Sequence, residues 1–237
     1  MNRCTQTAAG VALAFLALTG LALAADYSGT SGPDFIVGTN QADRIDALGG
    51  GDTVYGVDGD DRIAGDAGND LLVGDGTCAG RTTPGINNPA FVADCNPSGT
   101  ARGNDKITGR DGRDDIRGGP GNDGVNGAAG QDRVSGGAGR DKVFGGKDAD
   151  RVSGGAGNDG IAAGGGNDKV FGNAGNDVIS PGEGGAGRDT VAGGSGKDKI
   201  DVRDRNRDVV TCGSGTDFVR ADPSDKVSRR TCERIIR

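Results

Sequence analysis

The feature that most constrains this chain is a period of nine. From Asp105 to Asp177 an aspartate recurs at every ninth position without a slip: Asp105, Asp114, Asp123, Asp132, Asp141, Asp150, Asp159, Asp168 and Asp177. Two residues after each stands a β-branched apolar residue, from Ile107 and Ile116 through Val125, Val134, Val143, Val152, Ile161 and Val170 to Ile179. Glycines fill most of the turn before each aspartate. Gly118, Gly119 and Gly121 before Asp123, Gly136, Gly137 and Gly139 before Asp141, and Gly154, Gly155 and Gly157 before Asp159 complete the pattern G-G-x-G-x-D-x-U-x, with U apolar. An internal repeat this short and this regular specifies a stacked solenoid rather than a globule.

Each nine-residue unit divides into a six-residue turn and a three-residue strand, x-U-x. Alternate side chains of a strand face opposite ways, so U points inward and its neighbours point out. Two units then make one coil of 18 residues with a strand on each side. Successive coils stack as parallel strands about 4.8 Å apart, and the inward Val and Ile side chains form the whole core. The expected fold is all-β, a parallel β-roll (β-solenoid) with two repeats per coil. Asp105, Asp123, Asp141, Asp159 and Asp177 should form one row along it, and Asp114, Asp132, Asp150 and Asp168 the other.

The turn chemistry points to a cation. Glycine tolerates the tight backbone that turns carbonyl oxygens into the gap between coils, and each aspartate adds a carboxylate to that gap. An all-oxygen cage suits a hard cation of calcium size. The chain has no His and the repeats have no Cys, which argues against zinc or copper. Neighbouring carboxylates on the order of 5 Å apart repel by ~3 kcal/mol at an effective dielectric of 20. With a thin core and 49 glycines to order, the metal-free chain is expected to be largely unfolded and to fold as several Ca²⁺ ions bind.

These units resemble the RTX, or haemolysin-type calcium-binding, repeat family. The resemblance implies that each Ca²⁺ sits between one turn and the next-but-one, held by both aspartates and by turn carbonyls, so that Asp123 pairs with Asp141 and Asp141 with Asp159. It extends beyond the central stretch. Gly184-Gly185-Ala186-Gly187-Arg188-Asp189 and Gly193-Gly194-Ser195-Gly196-Lys197-Asp198 restore the repeat after a three-residue insertion near Ser180 to Glu183. Asp34, Asp43, Asp52, Asp61 and Asp70 carry it toward the N-terminus, through poorer turns in which Gln41, Leu48 and Val57 replace glycines. Asp61, Asp70, Asp189 and Asp198 therefore join the candidate ligands, and the N-terminal repeats are expected to hold fewer or weaker sites.

Taken in order, residues 1–24 read as a secretory signal, with Arg3 ahead of an apolar run from Val11 and a small-residue site at Ala22-Leu23-Ala24. That places the mature chain outside the cell, with no membrane span. N-terminal repeats occupy 25–73. Residues 74–99 break the period and read as an inserted loop tied by Cys78 and Cys95. The main roll follows over 100–202, and 203–237 forms a C-terminal cap in which the spacing of Asp208, Asp217 and Asp225 is only approximate. The four cysteines of the mature part allow three pairings; sequence proximity favours Cys78–Cys95 and Cys212–Cys232. The resemblance implies the second as the staple of the cap.

A net charge of -7 argues against nucleic acid as a partner. Without His, histidine-based triads and the H-E-x-x-H zinc motif are excluded, and a slim roll offers no cleft for paired-carboxylate catalysis. The chain is expected to be a monomeric, secreted calcium-binding protein and not an enzyme. The alternative is an extracellular adhesin whose 74–99 loop contacts a cell surface or glycan. Ice binding is disfavoured, because the positions flanking each turn, such as Pro120/Asn122 and Ala138/Arg140, form no regular Thr/Asn row.

Overall fold

The computed structural model describes residues 24–75, 102–180 and 187–237, together with the backbone of the two-residue strands Thr5–Gln6, Thr77–Cys78, Gly85–Ile86 and Cys95–Asn96. From Asp26 onward the strands of the roll alternate between two sheets and pair in parallel with the strand one coil further on, while Thr77–Cys78 and Cys95–Asn96 form a separate antiparallel pair and Gly85–Ile86 joins the second sheet antiparallel. The first sheet has twelve strands and runs from Thr5–Gln6 and Asp26–Ser28 through Lys106–Asp111, Gly124–Ala129 and Lys142–Lys147 to Arg234–Ile236. The second has eleven, including Leu71–Asp75, Asp115–Pro120, Arg133–Ala138, Arg151–Ala156 and Lys169–Ala174. This is the parallel β-roll that the nine-residue period demands.

Register follows the repeat. Ile107 pairs with Val125, Val125 with Val143, and Val143 with Ile161. Ile116, Val134, Val152 and Val170 stack in the same way on the other side. Both ladders are buried and belong to one continuous core cluster that runs from Tyr27 to Cys232. No large aromatic residue is needed, since each coil closes over two apolar side chains.

The strands are longer than the expected three residues. Seven of them between Lys106 and Ala174 have six residues, because the Gly-Gly-x half of each turn also pairs with its neighbours. Arg110 pairs with Ala128 and Asp111 with Ala129, for example. Identical coils stack over the turn as well as the strand, so the backbone ladder continues around the bend.

Both interruptions of the period are absorbed without a change of register. Ile107 pairs with Ile63, and Ile116 with Leu72, 44 residues apart rather than 18. The strand Leu71–Asp75 ends at the start of the expected 74–99 excursion. Cys95 is the backbone partner of Cys78 in an antiparallel pair; their side chains, and the disulfide expected between them, lie outside the described residues. Of the expected signal and cleavage site, only the backbone of Thr5–Gln6 and Ala24 are described. Beyond the second interruption Val170 pairs with Val191 and Ile179 with Ile200, 21 residues apart. The cap is stapled by Cys212–Cys232, both buried. No helix among the described residues is long and apolar enough to cross a membrane.

Candidate metal centre

The repeat aspartates form two rows. One contains Asp43, Asp61, Asp105, Asp123, Asp141, Asp159, Asp177, Asp198 and Asp217, and the other Asp34, Asp52, Asp70, Asp114, Asp132, Asp150, Asp168, Asp189, Asp208 and Asp225. All are buried, at no more than 5% exposure. Along each row the backbone N–H of one aspartate donates to Oδ1 of the aspartate one coil further on. Asp105 donates to Asp123 at 2.9 Å, Asp123 to Asp141 at 2.8 Å and Asp141 to Asp159 at 2.9 Å. The bond persists across both interruptions, from Asp61 to Asp105 at 2.7 Å and from Asp168 to Asp189 at 2.9 Å. The Asp123/Asp141 and Asp141/Asp159 pairings expected from the resemblance are thus neighbours in one row.

Oδ1 is therefore satisfied, and Oδ2 is not. Oδ2 is buried and without a hydrogen-bond partner in Asp52, Asp61, Asp70, Asp105, Asp114, Asp123, Asp132, Asp141, Asp150, Asp159, Asp168, Asp177, Asp198, Asp208 and Asp217. Every expected ligand aspartate except Asp189 is in this set. A buried carboxylate oxygen with no partner is costly. Each shares its surroundings with a carbonyl. A Cβ on Gly118 would strike both Oδ2 of Asp123 and the carbonyl oxygen of Gly136, and one on Gly154 would strike Oδ2 of Asp159 and the carbonyl oxygen of Gly172. The first glycine of the turn is required because these two oxygens converge over its Cα. Hard oxygen donors drawn from adjacent coils, with unmet negative charge, fit Ca²⁺.

Burial drives the proton affinity of these carboxyls upward, with repulsion from neighbours in the row adding to it. Asp105 is pushed up to about 9, Asp61 and Asp150 to about 8, and Asp114, Asp123 and Asp141 to about 7. Hydrogen bonds from the backbone N–H groups oppose the rise but do not cancel it.

The first two turns differ. Thr30 N–H donates to Oδ2 of Asp34, and Thr39 N–H to Oδ2 of Asp43, both at 2.5 Å, with each threonine hydroxyl donating to the same carboxylate. A threonine at the second turn position supplies internally what the other turns lack. At the far end Asp204 joins the row. Ligand atoms of Asp189, Asp204 and Asp208 all lie within 4.8 Å of one another. Asp208 and Asp204 were not among the expected site residues, because the glycine pattern thins out after Arg203.

A second ladder was also missed. Asn122 N–H donates to Oδ1 of Asn104, and Arg140 N–H to Oδ1 of Asn122. Arg113, Asn176, Arg188 and Lys197 bond in the same way to Asn69, Asn158, Asn167 and Asn176. The signal was present as Gly-Asn-Asp, which recurs at 68–70, 103–105, 121–123, 157–159, 166–168 and 175–177. A groove of about 670 Å³ runs along the Asp123, Asp141 and Asp159 row, walled by Asn122, Arg140, Asn158 and Asn176.

Fold and site together define a parallel β-roll built to hold cations between its coils. The RTX calcium-binding nonapeptide repeat (4 copies) matches residues 28–63, 46–76, 100–125, 126–161, 161–185 and 182–203. With more than half of its length matched, the chain belongs to this family of calcium-binding repeats. A search of curated proteins returned no match. The aspartate rows continue through Asp208, Asp217 and Asp225, past the last matched residue.

Proposed function

We propose that this protein is a secreted calcium-binding scaffold that folds as Ca²⁺ enters the gaps between its coils. One observation carries the reading: fifteen repeat aspartates each bury an Oδ2 with no hydrogen-bond partner among the described residues. Asp61, Asp70, Asp105, Asp114, Asp123, Asp132, Asp141, Asp150, Asp159, Asp168, Asp177, Asp189 and Asp198 are the proposed ligands, with turn carbonyls such as that of Gly136 completing the cages. Calcium supplies the positive charge that cancels repulsion along each row. The residues of the chain hold the oxygens in register and exclude water. Because binding to the folded chain draws on stability the empty fold lacks, folding and binding are linked.

Secretion is supported by the apolar N-terminal segment and by the Cys212–Cys232 disulfide, which suits an oxidising compartment. Extracellular modules commonly bind calcium at roughly 10⁻⁴ to 10⁻³ M, so folding would wait until export. We read the protein as a binding scaffold, not an enzyme, since its buried carboxylates are committed to the gaps and its sequence has no histidine.

The test is a far-UV circular dichroism titration of the mature chain with Ca²⁺, with Mg²⁺ as control. A cooperative gain of β signal with Ca²⁺ alone is expected. A chain equally folded in chelator would reduce calcium to a secondary role and reject folding on binding.

A further inference from the structure

The formal charge of -7 misrepresents the surface of the folded roll. Of the 34 acidic residues, 20 are buried aspartates, while no Lys or Arg is buried among the described residues. Among the described residues, 12 acidic residues remain to set against 25 Lys and Arg. A roll whose internal carboxylates are neutralised therefore presents a basic exterior, and the argument from net charge against polyanionic partners does not hold.

The basic residues are not scattered evenly. On the outer face of the first sheet, Arg44 pairs in register with Arg62, and Arg62 with Lys106. All three are exposed, and none forms a salt bridge with a described residue. Like charges directly opposite one another on neighbouring strands are destabilising, so this row costs stability unless an anion lies across it. Nor is the face flat. The three cations line a cavity of about 230 Å³ together with Arg110, Thr108 and Asp46. Arg110 is held by an ion pair with Asp66, and Oδ1 of Asp46 has no hydrogen-bond partner.

We infer that this cavity binds a linear carboxylate-bearing glycan, a polyuronate, laid across the strands. The cations repeat at the strand spacing of about 4.8 Å, and a polyuronate carries one carboxylate on each sugar ring, a spacing of the same order. Guanidinium forks match planar carboxylates bidentately. Thr108 offers a hydroxyl to the sugar hydroxyls that lie between the carboxylates. Single-stranded nucleic acid would call for aromatic platforms, and none lines the cavity. A membrane surface would call for outward apolar side chains, and the isoleucines of these strands, Ile45 and Ile63, are buried. The inference needs the folded roll, and it is separable from the calcium reading.

The test is isothermal titration calorimetry of the calcium-loaded full chain with tetragalacturonate, an oligomer too short to gel with calcium. Cellotetraose, a sulfated tetrasaccharide and single-stranded DNA serve as comparisons. Saturable binding of the uronate is expected, with Arg44→Gln/Arg62→Gln/Lys106→Gln weakening it about tenfold or more. A second in-register row, Arg133, Arg151 and Lys169, lies on the other sheet, where Arg151 is stacked over Phe171, and Arg133→Gln/Arg151→Gln/Lys169→Gln should leave the affinity unchanged. Circular dichroism in calcium checks that both variants fold, and Lys106→Gln alone, at an exposed position, should still weaken binding if the triple variant does not. Equal losses in both triple variants, no binding of the uronate, or equal binding of the sulfated glycan or DNA would each overturn the inference. A chain that binds the uronate while already folded in chelator would sink folding on calcium binding and leave this site standing.

Discussion

The backbone N–H of Asp123 donates to Oδ1 of Asp141 at 2.8 Å, and Oδ2 of Asp141 is left buried with no partner. This division of one carboxylate into a structural oxygen and an unmet one repeats along both rows. It explains how the fold can be specified by backbone bonds and still depend on an ion. Oδ1 sets the register of adjacent coils. Oδ2 concentrates negative charge where only a proton or a cation can relieve it.

A pH dependence follows, and its sign is fixed. These carboxyls have higher pKa values in the fold than the 3.8 of a free aspartate, reaching about 7 for Asp141 and about 9 for Asp105 because of burial. A group whose pKa is raised on folding favours the fold at low pH and loses that contribution as pH rises through the folded value. In chelator, β signal should therefore be retained near pH 5 and fall away between about pH 6 and 9. In saturating Ca²⁺ the cation replaces the proton, and the signal should stay flat over the same range. A chelated chain that gains structure as pH rises would contradict the burial of these groups.

Asp105→Asn separates the two roles of the carboxylate. The amide keeps an oxygen for the N–H of Asp61 and loses the charge that burial and the neighbouring Asp75, Asp61 and Asp123 oppose. In chelator at neutral pH the variant should be more stable than the parent by roughly 1–2 kcal/mol. It should also bind fewer calcium ions or bind them more weakly. Parallel denaturation and calcium titrations check both halves, and a variant destabilised in chelator would show that Oδ2 has a protein partner after all.

The glycines of the turn are not equivalent. At Gly118 a Cβ would strike a carbonyl oxygen and a carboxylate oxygen, whereas at Gly124 the nearest atom is Asp105 O at 3.8 Å. Gly118→Ala should cost about 2–4 kcal/mol and raise the calcium concentration needed for folding. Gly124→Ala, in a strand, should be neutral or stabilise by about 0.4–1 kcal/mol. Thermal melts of the two variants in calcium provide the comparison.

Much of this was legible in the sequence, because a nine-residue period leaves few ways to stack. The rows from Asp105 to Asp177 and the inward Val and Ile ladders follow from spacing alone, and the Cys212–Cys232 staple was expected from sequence proximity and from the family resemblance. What was not legible depends on side-chain contacts within a turn and between turns stacked on one another. The Asn104–Asn122–Arg140 ladder joins residues whose types vary within the repeat, and its logic emerges only once coils are in register. Thr30 and Thr39 look like ordinary turn residues until their carboxylate partners are seen. Composition likewise does not say that 20 of the aspartates are buried.

The C-terminal disulfide closes a loop with a sequence separation of 20, worth about 3 kcal/mol in chain entropy. In a stacked repeat protein stability is transmitted mainly between neighbouring coils. Cys212→Ser/Cys232→Ser should therefore fray the strands from Val209 onward and leave the coils around Asp123 to Asp159 folded. Limited proteolysis in calcium should release C-terminal fragments from the variant but not from the parent. Loss of the whole β signal would instead make the cap the nucleus of the roll.

Arg140 interrupts the outer asparagine ladder. Its own N–H is held by Asn122 at 2.8 Å, but its side chain has no oxygen to accept the N–H of Asn158 one coil on, whereas Asn158 in turn accepts from Asn176. The guanidinium also lines the groove along Asp123, Asp141 and Asp159, where it repels an arriving cation. Arg140→Asn should mend the ladder and remove that repulsion, stabilising the calcium-loaded fold by about 0.5–1.5 kcal/mol and tightening calcium binding. Arg140→Ala removes the charge without supplying the oxygen. If the asparagine and alanine variants gain equally, repulsion accounts for the whole effect; a gain confined to asparagine assigns it to the amide bond, and no gain in either rejects both causes.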